Sequence, residues 1–346
     1  MKTTKASLFV AFALASQLQA QPLFEDRQRI AAWLAENKVP AVGVGIIRDG
    51  KVREVKVYGE LKKGVPAPYD TIFNVASLTK PIVTYATLRL VSEGKWNLDE
   101  PIAKYWIDPD VASDPRAQLL TTRHILSHQT GFANWRWLEP DKKLRFEFDP
   151  GTKFQYSGEG FEYLRRALEK KFGKTLSELS ESLVFTPLHM KDTQHAWDSR
   201  TDASRFARWH DENGANKYTD DRTTRANAAD NLLTTVADYA TFGAAIMNGE
   251  GLTKEVFAEM VKPQAAMKGA AHMTLGWERH DDLNAAGEYA LIHSGSDDGV
   301  KTLVILLPKS KQGLVVLTNG DNGWKLYERL VKESLDAGEE LMKRAQ

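Results

Sequence analysis

Strand-like patterns lie at both ends of this chain, and helical patterns fill the middle. Near the N-terminus, AVGVGIIRDGKVREVKVYG, starting at Ala41, reads as two strands around Asp49-Gly50. That dipeptide tolerates the positive φ angles of a two-residue hairpin. Near the C-terminus HMTLGWERH, EYALIHSG, KTLVILLP and GLVVLTNG are strand-like, and a last helix, roughly Trp324 to Lys343, closes the chain. Between them RHILSHQTG, FEYLRRALEKKFG, LSELSESLVF, NLLTTVADYATFGAAIMNG and LTKEVFAEMVK carry helical periods with Gly or Pro stops. An amphipathic helix over 24–38 precedes the first strand, with Phe24, Ile30, Ala31, Trp33 and Leu34 available to one side and Pro40 as its stop. The economical arrangement is an α/β (α+β) fold: one antiparallel sheet formed by both chain ends, flanked by helices, with an inserted, mostly helical lobe. The sheet lobe is expected at about 21–95 and 270–346 and the helical lobe at about 96–269, with the binding cleft between them.

The first twenty residues do not belong to that pattern. MKTTKASLFVAFALASQLQA has Lys2 and Lys5, an apolar run from Leu8 to Ala15, and small and polar residues ending at Ala20. It reads as a secretory signal peptide cleaved near Ala20, with Ala15 as the alternative. The run is too short to anchor the chain in a bilayer, so a periplasmic or secreted bacterial protein with no membrane anchor after cleavage is expected. The formal charge of the full chain is zero, which argues against nucleic acid as a partner. There is no cysteine, hence no disulfide framework and no thiol nucleophile.

The chemistry is concentrated in FNVASLTKPIVTYATLRLVSEGK, residues 73–95. After Lys80 this helix is apolar almost all round, as buried helices are. A lysine at its start, three residues after Ser77, shares a face with that serine. Desolvation lowers a lysine pKa, and a partly neutral lysine can take a serine's proton. If Ser77 starts the helix, its own N–H is an unsatisfied donor there, in a field that favours anions. Pro81 in the first turn deletes only an amide that lacks a partner anyway. S-x-x-K alone is weak: Ser92-Glu93-Gly94-Lys95 matches too, but it straddles a helix-ending glycine.

Further segments match in order and spacing over nearly the whole chain after residue 20. FNVASLTKPIVTYATLRLVSEGKWNLDEPIAKYW, LTTRHILSHQTGF, DPGTKFQYSGEGFEYL, NLLTTVADYATF and HSG followed by two strands together resemble the class C β-lactamase-like serine hydrolases. That family also includes penicillin-binding DD-peptidases, D-aminopeptidases and serine esterases. The resemblance implies Ser77 as acylated nucleophile, with Lys80 taking its proton alone or with Tyr156. Tyr156 would relay protons to the leaving group, which at pH 7 asks for cationic neighbours that lower its pKa. His293-Ser294-Gly295 would line the cleft edge and align an extended substrate by backbone pairing. The amides of Ser77 and Ser296 would form the oxyanion hole. No cofactor is implied.

Two departures shift the expected substrate. The third position of the Tyr-x-Asn segment is Gly158, which cannot orient the lysine or grip an acylamide side chain. The cation of the Lys-Thr-Gly strand is replaced by His293, with Asp297 and Asp298 close by. That suits an ammonium group better than the carboxylate of a β-lactam or a D-Ala-D-Ala peptide. The expectation is therefore an esterase or a peptidase/amidase on short substrates, small-molecule esters, amides or peptides. β-Lactamase or DD-peptidase activity is the alternative, and a non-catalytic module binding peptidoglycan or β-lactams is the rival of another class. His124 and His128 have the i,i+4 spacing of a zinc site, but without the glutamate of H-E-x-x-H or a third ligand they read as structural, and no metal is expected. Trp135 and Trp137 could line the mouth of the cleft. No G-x-S-x-G elbow, phosphate loop or dinucleotide fingerprint is present.

Overall fold

The computed structural model describes residues 26–219 and 222–344; the segment expected to be a signal peptide and Phe24 lie outside them. Helix α1 (Arg27–Asn37) starts where the Asp26 carboxylate accepts from the N–H groups of Gln28 and Arg29, and stops where Lys38 turns left-handed. Ile30 and Leu34 of its expected face are buried, whereas Ala31 is exposed, a correction to that face. Strands β1 (Ala41–Arg48) and β2 (Lys51–Lys62) follow. Their turn has φ 52° at Asp49 and 70° at Gly50, the two positive values a two-residue hairpin needs. After β3 (Val65–Pro66) and β4 (Phe73–Asn74) comes α2 (Thr79–Ser92). The chain continues through α3 (Thr122–Leu126), α4 (Gly158–Phe172), α5 (Leu176–Ser180), β5 (Leu233–Thr234), α6 (Val236–Asn248) and α7 (Lys254–Val261). It ends with β6 (Ala265–Ala266), β7 (Ala271–Met273), β8 (Glu278–His280), β9 (Ala290–Asp297), β10 (Val300–Leu307), β11 (Gln312–Thr318), α8 (Tyr327–Ser334) and α9 (Gly338–Arg344).

Both ends do build one antiparallel sheet. Its order is β3-β2-β1-β11-β10-β9-β8-β7-β6, and β1 against β11 is the seam where the two ends meet. Alternation explains the layers. Val42, Val44, Ile46, Leu303, Ile305, Leu314 and Val316 face α1 and α8, while Ile47, Val304, Leu306, Val315 and Leu317 face the opposite core with α2 and α6. On β1 that second face carries Gly43 and Gly45. A Cβ on Gly45 would stand 2.8 Å from the Ala240 methyl, so the missing side chain is what lets α6 approach. α6 falls in the helical stretch of the sequence, yet it packs on the sheet.

Three local expectations change. The helix expected from Trp324 to Lys343 is broken between α8 and α9, because the backbone doubles back: a Cβ on Gly338 would lie 2.3 Å from the Val331 carbonyl. The helical pattern at NLLTTVADYATF begins later, since Leu233 and Thr234 pair with β4 as a strand and Thr235 caps α6. The middle is helical in kind, but its helices are short and joined by long irregular segments. No helix among the described residues is long and apolar enough to cross a membrane.

The pairing of β9 positions the site. β8 pairs with β9 only as far as Glu278 opposite Ile292, while β10 follows the other edge of β9 to Asp297. The edge from His293 to Asp297 is therefore open.

Candidate active site

Ser77 sits in a tight turn, Ala76–Leu78, just ahead of α2 rather than within it. The turn is pinned on all sides. Thr302 Oγ1 donates to the Val75 carbonyl (2.9 Å), the Ala76 N–H donates to Asn74 Oδ1 (2.8 Å), and the Tyr239 hydroxyl donates to the Leu78 carbonyl (2.8 Å). Those bonds hold Ala76 at φ 47°, a left-handed value that disfavours a side chain. Ser77 is the single residue from 71 to 88 that is not buried.

The buried lysine behaves as its surroundings require. Lys80 is 1 % exposed, and burial lowers its pKa from 10.5 to about 7, the nearby Asp230 carboxylate opposing that fall. Nζ stands 3.0 Å from Ser77 Oγ and donates to the Ala229 carbonyl at 2.9 Å. With one N–H committed to Ala229, a neutral amine can turn its lone pair to the serine proton. The nitrogen also lies 4.7 Å from the centre of the Tyr156 ring.

Tyr156 is brought to the same point and shares a hydrogen bond with Ser77, but burial pushes its phenol up to about 12. This corrects the expectation of a cation-lowered tyrosine: desolvation outweighs any cationic help, and the group is a neutral phenol at pH 7. Beneath it lies His128, stacked at 4.3 Å and fully buried, its Nδ1 accepting from the Ser157 N–H (3.0 Å). Burial and the Lys80 charge hold His128 well below its usual pKa. His128 and His124 do not share a helix face, since α3 ends at Leu126 and His128 has φ 53°. His124 closes a capping box with Thr121 instead. Their i,i+4 spacing therefore builds no common metal-facing surface.

β9 forms the opposite wall. Asp297 and Val300 close a two-residue turn. Antiparallel residues exchange hydrogen bonds in alternation, so Asp297, Gly295 and His293 bond to β10, and Ser296 and Ser294 direct their N–H and C=O groups to the open edge. The Ser294 carbonyl accepts from His293 Nδ1 at 2.9 Å. Gly295 lies against the Ser77 turn: a Cβ there would stand 2.3 Å from the Val75 carbonyl and 3.2 Å from the Ser77 nitrogen. That contact packs the strand that carries Ser296 against the Ser77 turn, and both serines line the same cavity. His293 is buried, and burial with the Lys80 charge lowers its pKa to about 3. It is a neutral ring, not a cation.

Ser77, Lys80, Tyr156, His293, Ser294 and Ser296 all line one cavity of about 380 Å³. Asp297 and Asp230 line it too. Burial raises the Asp297 pKa, and its carboxyl meets that of Asp230 within hydrogen-bonding reach. Asp298 only closes the turn, its N–H donating to Asp297 Oδ1. Gly158 does not reach the substrate space. The Trp135 indole sits 2.5 Å from where its Cβ would be, and Trp137 stacks on that indole from outside at 4.2 Å. The decoy pair is inert: Ser92 Oγ accepts the Thr253 N–H, and Lys95 pairs with Glu93 in solvent. Sequence reasoning missed Asp230, the Ala229 carbonyl, Asn134 and Glu278. Each comes from a loop or short strand with no motif of its own.

A family model described as Beta-lactamase matches residues 26–335. Esterase EstB of Burkholderia gladioli is 30% identical over 189 residues, 46% of this chain and 48% of EstB. Protein flp of Staphylococcus aureus (strain COL) is 23% identical over 322 residues, 86% of this chain and 63% of that protein. The chain thus spans about half to 63% of the length of these curated relatives. Among solved structures, D-alanine carboxypeptidase AmpC from Burkholderia cenocepacia superposes with a TM-score of 0.72 at 20% identity, covering 93% of this chain and 98% of that one. The octameric penicillin-binding protein homologue from Pyrococcus abyssi gives a TM-score of 0.71 at 22% identity, over 85% of this chain and 73% of that one. At these identities the structural likeness shows the fold.

Proposed function

This chain belongs to the Beta-lactamase family, and we propose that it is an exported serine hydrolase acting through an acyl-enzyme on Ser77. The observation that carries this reading is Lys80, a buried amine with a pKa of about 7 placed 3.0 Å from the serine oxygen. Ser77 Oγ attacks the substrate carbonyl while neutral Lys80 takes its proton. The backbone N–H groups of Ser77 and Ser296 receive the oxyanion. The neutral Tyr156 phenol gives a proton to the leaving group and regains one through Lys80. Water then attacks the acyl-enzyme by the reverse sequence and releases Ser77.

The substrate class follows from charge. Three carboxyl groups, Asp230, Glu278 and Asp297, line the cavity, and the one cationic side chain lining it among the described residues, Lys80, is partly neutral. His293 adds no charge. A carboxylate-bearing β-lactam meets repulsion here, whereas a short ester, amide or peptide with an ammonium group meets attraction. Intact-mass spectrometry of wild type and Ser77→Ala after a fluorophosphonate and after benzylpenicillin tests the proposal. A fluorophosphonate adduct on wild type alone is expected. Absence of any adduct on folded wild type would favour a binding module, and rapid nitrocefin turnover would overturn the substrate class.

A further inference from the structure

The outer half of the sheet carries a second cavity, of about 520 Å³, on the face that packs against α8 and α9. Strand pairing explains where it lies. Met273 pairs with Glu278, Glu278 with Ile292, and Ile292 with Ile305, a row that crosses β7, β8, β9 and β10. Met273 lines the cavity of Ser77, Ile305 lines the second cavity, and Glu278 and Ile292 line both. The two spaces are thus neighbours along one row of side chains, but their chemistry differs. Ala271, Leu303, Ile305, Val331, Leu341 and Met342 make the second one mainly apolar, and its size is that of a small-molecule pocket.

Few polar groups enter this cavity, and some are already engaged. His280 Nε2 and Glu278 Oε1 meet at 2.6 Å. Arg344 donates from Nε to Glu340 (2.9 Å) and from Nη2 to the Asp282 carbonyl (2.8 Å). Lys268 and Tyr327 are spare. Lys268 is exposed on the turn between β6 and β7, which the Met267 N–H closes by donating to the Ala271 carbonyl (3.0 Å). Its ammonium has no hydrogen-bond or ion-pair partner among the described residues. The Tyr327 hydroxyl has none either, and burial raises its pKa, so it keeps its proton and offers a donor. The lining has two cations, Lys268 and Arg344, to one acid, Glu278; the cleft, with three acids, has the opposite balance. An apolar cavity with a spare cation at its rim fits an apolar molecule that ends in an anion. One free ammonium and one hydroxyl suit the single charge of a carboxylate.

We propose that this second cavity is a binding site for a medium-chain aliphatic carboxylate, its chain lying against Leu303, Ile305 and Val331 and its head group paired with Lys268. The site does not depend on the serine hydrolase reading. Its occupant is a different molecule from the substrate of the cleft, because the two linings favour opposite charges.

Isothermal titration calorimetry with decanoate, shorter carboxylates down to hexanoate, and 1-decanol tests it on wild type, Lys268→Gln and Ala271→Leu. Wild type is expected to bind one decanoate per chain, and affinity should fall about fourfold for each methylene removed. Lys268→Gln should weaken decanoate about fivefold, the worth of an exposed ion pair, and leave 1-decanol unchanged. Ala271→Leu puts a larger side chain where the ligand chain lies and should weaken decanoate and 1-decanol alike, about tenfold. Absence of saturable decanoate binding would overturn the proposal. So would 1-decanol binding to wild type as tightly as decanoate, or a decanoate affinity unchanged within twofold in Lys268→Gln, a surface change that leaves the fold intact. Decanoate binding lost from neither variant would place the acid elsewhere and overturn it too. The hydrolase reading fails on a separate result, a fluorophosphonate that leaves Ser77 unlabelled.

Discussion

Replacing Lys80 with methionine should remove activity and make the protein more stable. Lys80 is fully buried with a pKa of about 7 against 10.5 for the free side chain. A tenfold change in an acid dissociation constant is worth ~1.4 kcal/mol, so holding this amine in the fold at pH 7 disfavours folding by ~5 kcal/mol. Methionine has similar length and no charge. It leaves the Ala229 carbonyl without its donor, a loss of ~1–3 kcal/mol. Asp230 is only half-buried. A net gain of ~2–4 kcal/mol is expected at pH 7. The pH dependence is the sharper test, because the fixed losses cancel from it. Above pH 10.5 the amine is neutral in both states. As pH falls from there to 7, only the unfolded chain binds the proton, and wild type loses stability by ~1.4 kcal/mol per pH unit. Below pH 7 both states bind it and the difference is constant. The advantage of Lys80→Met should therefore grow by ~3 kcal/mol between pH 9.5 and pH 7 and then level off. Urea unfolding of both proteins across that range measures it. An advantage that does not change with pH would refute the argument, as would a variant less stable than wild type at pH 7.

Other outcomes follow from the same geometry. The pH profile of kcat/KM should rise with one limb near pH 7, where Lys80 loses its proton, and stay flat to pH 10 because burial holds Tyr156 near 12; Tyr156→Phe should lower kcat by ~10²–10⁴-fold in steady-state kinetics. Gly295→Ala would drive a methyl into the Val75 carbonyl and push β9 from the Ser77 turn, so kcat should fall ~10²-fold or more while KM changes less. Gly158→Ala should destabilise by ~1–3 kcal/mol through its clash with Trp135, and chemical denaturation of the pair with Trp135→Ala should show that loss largely relieved. Lys95→Ala, a change at an exposed surface pair, should alter neither activity nor stability by more than ~0.5 kcal/mol.

Much of the architecture was legible because its causes are local. Asp49-Gly50 can adopt two positive φ angles wherever it stands in the chain, and the apolar surround of α2 admits no solvated face. Those patterns led to the two-ended sheet and to the Ser77–Lys80 pair. The readings that failed concern environment. His124 and His128 have a helical spacing, but the helix stops between them. Tyr156 looked like a group lowered by a cation and is instead raised by burial. His293 looked like a polar neighbour of two aspartates and is a buried, neutral ring, while the acid that meets Asp297 is Asp230, supplied by a loop distant in sequence.

By itself the sequence determined which elements form and which serine and lysine share a turn of chain, because periodicity, turn chemistry and i,i+3 spacing act over a few residues. Only the tertiary structure decided the protonation state of Lys80, Tyr156 and His293, the partner of Asp297, and the filling of the space over Gly158 by Trp135. Desolvation and close approach depend on which distant segments pack together, and no local pattern records that.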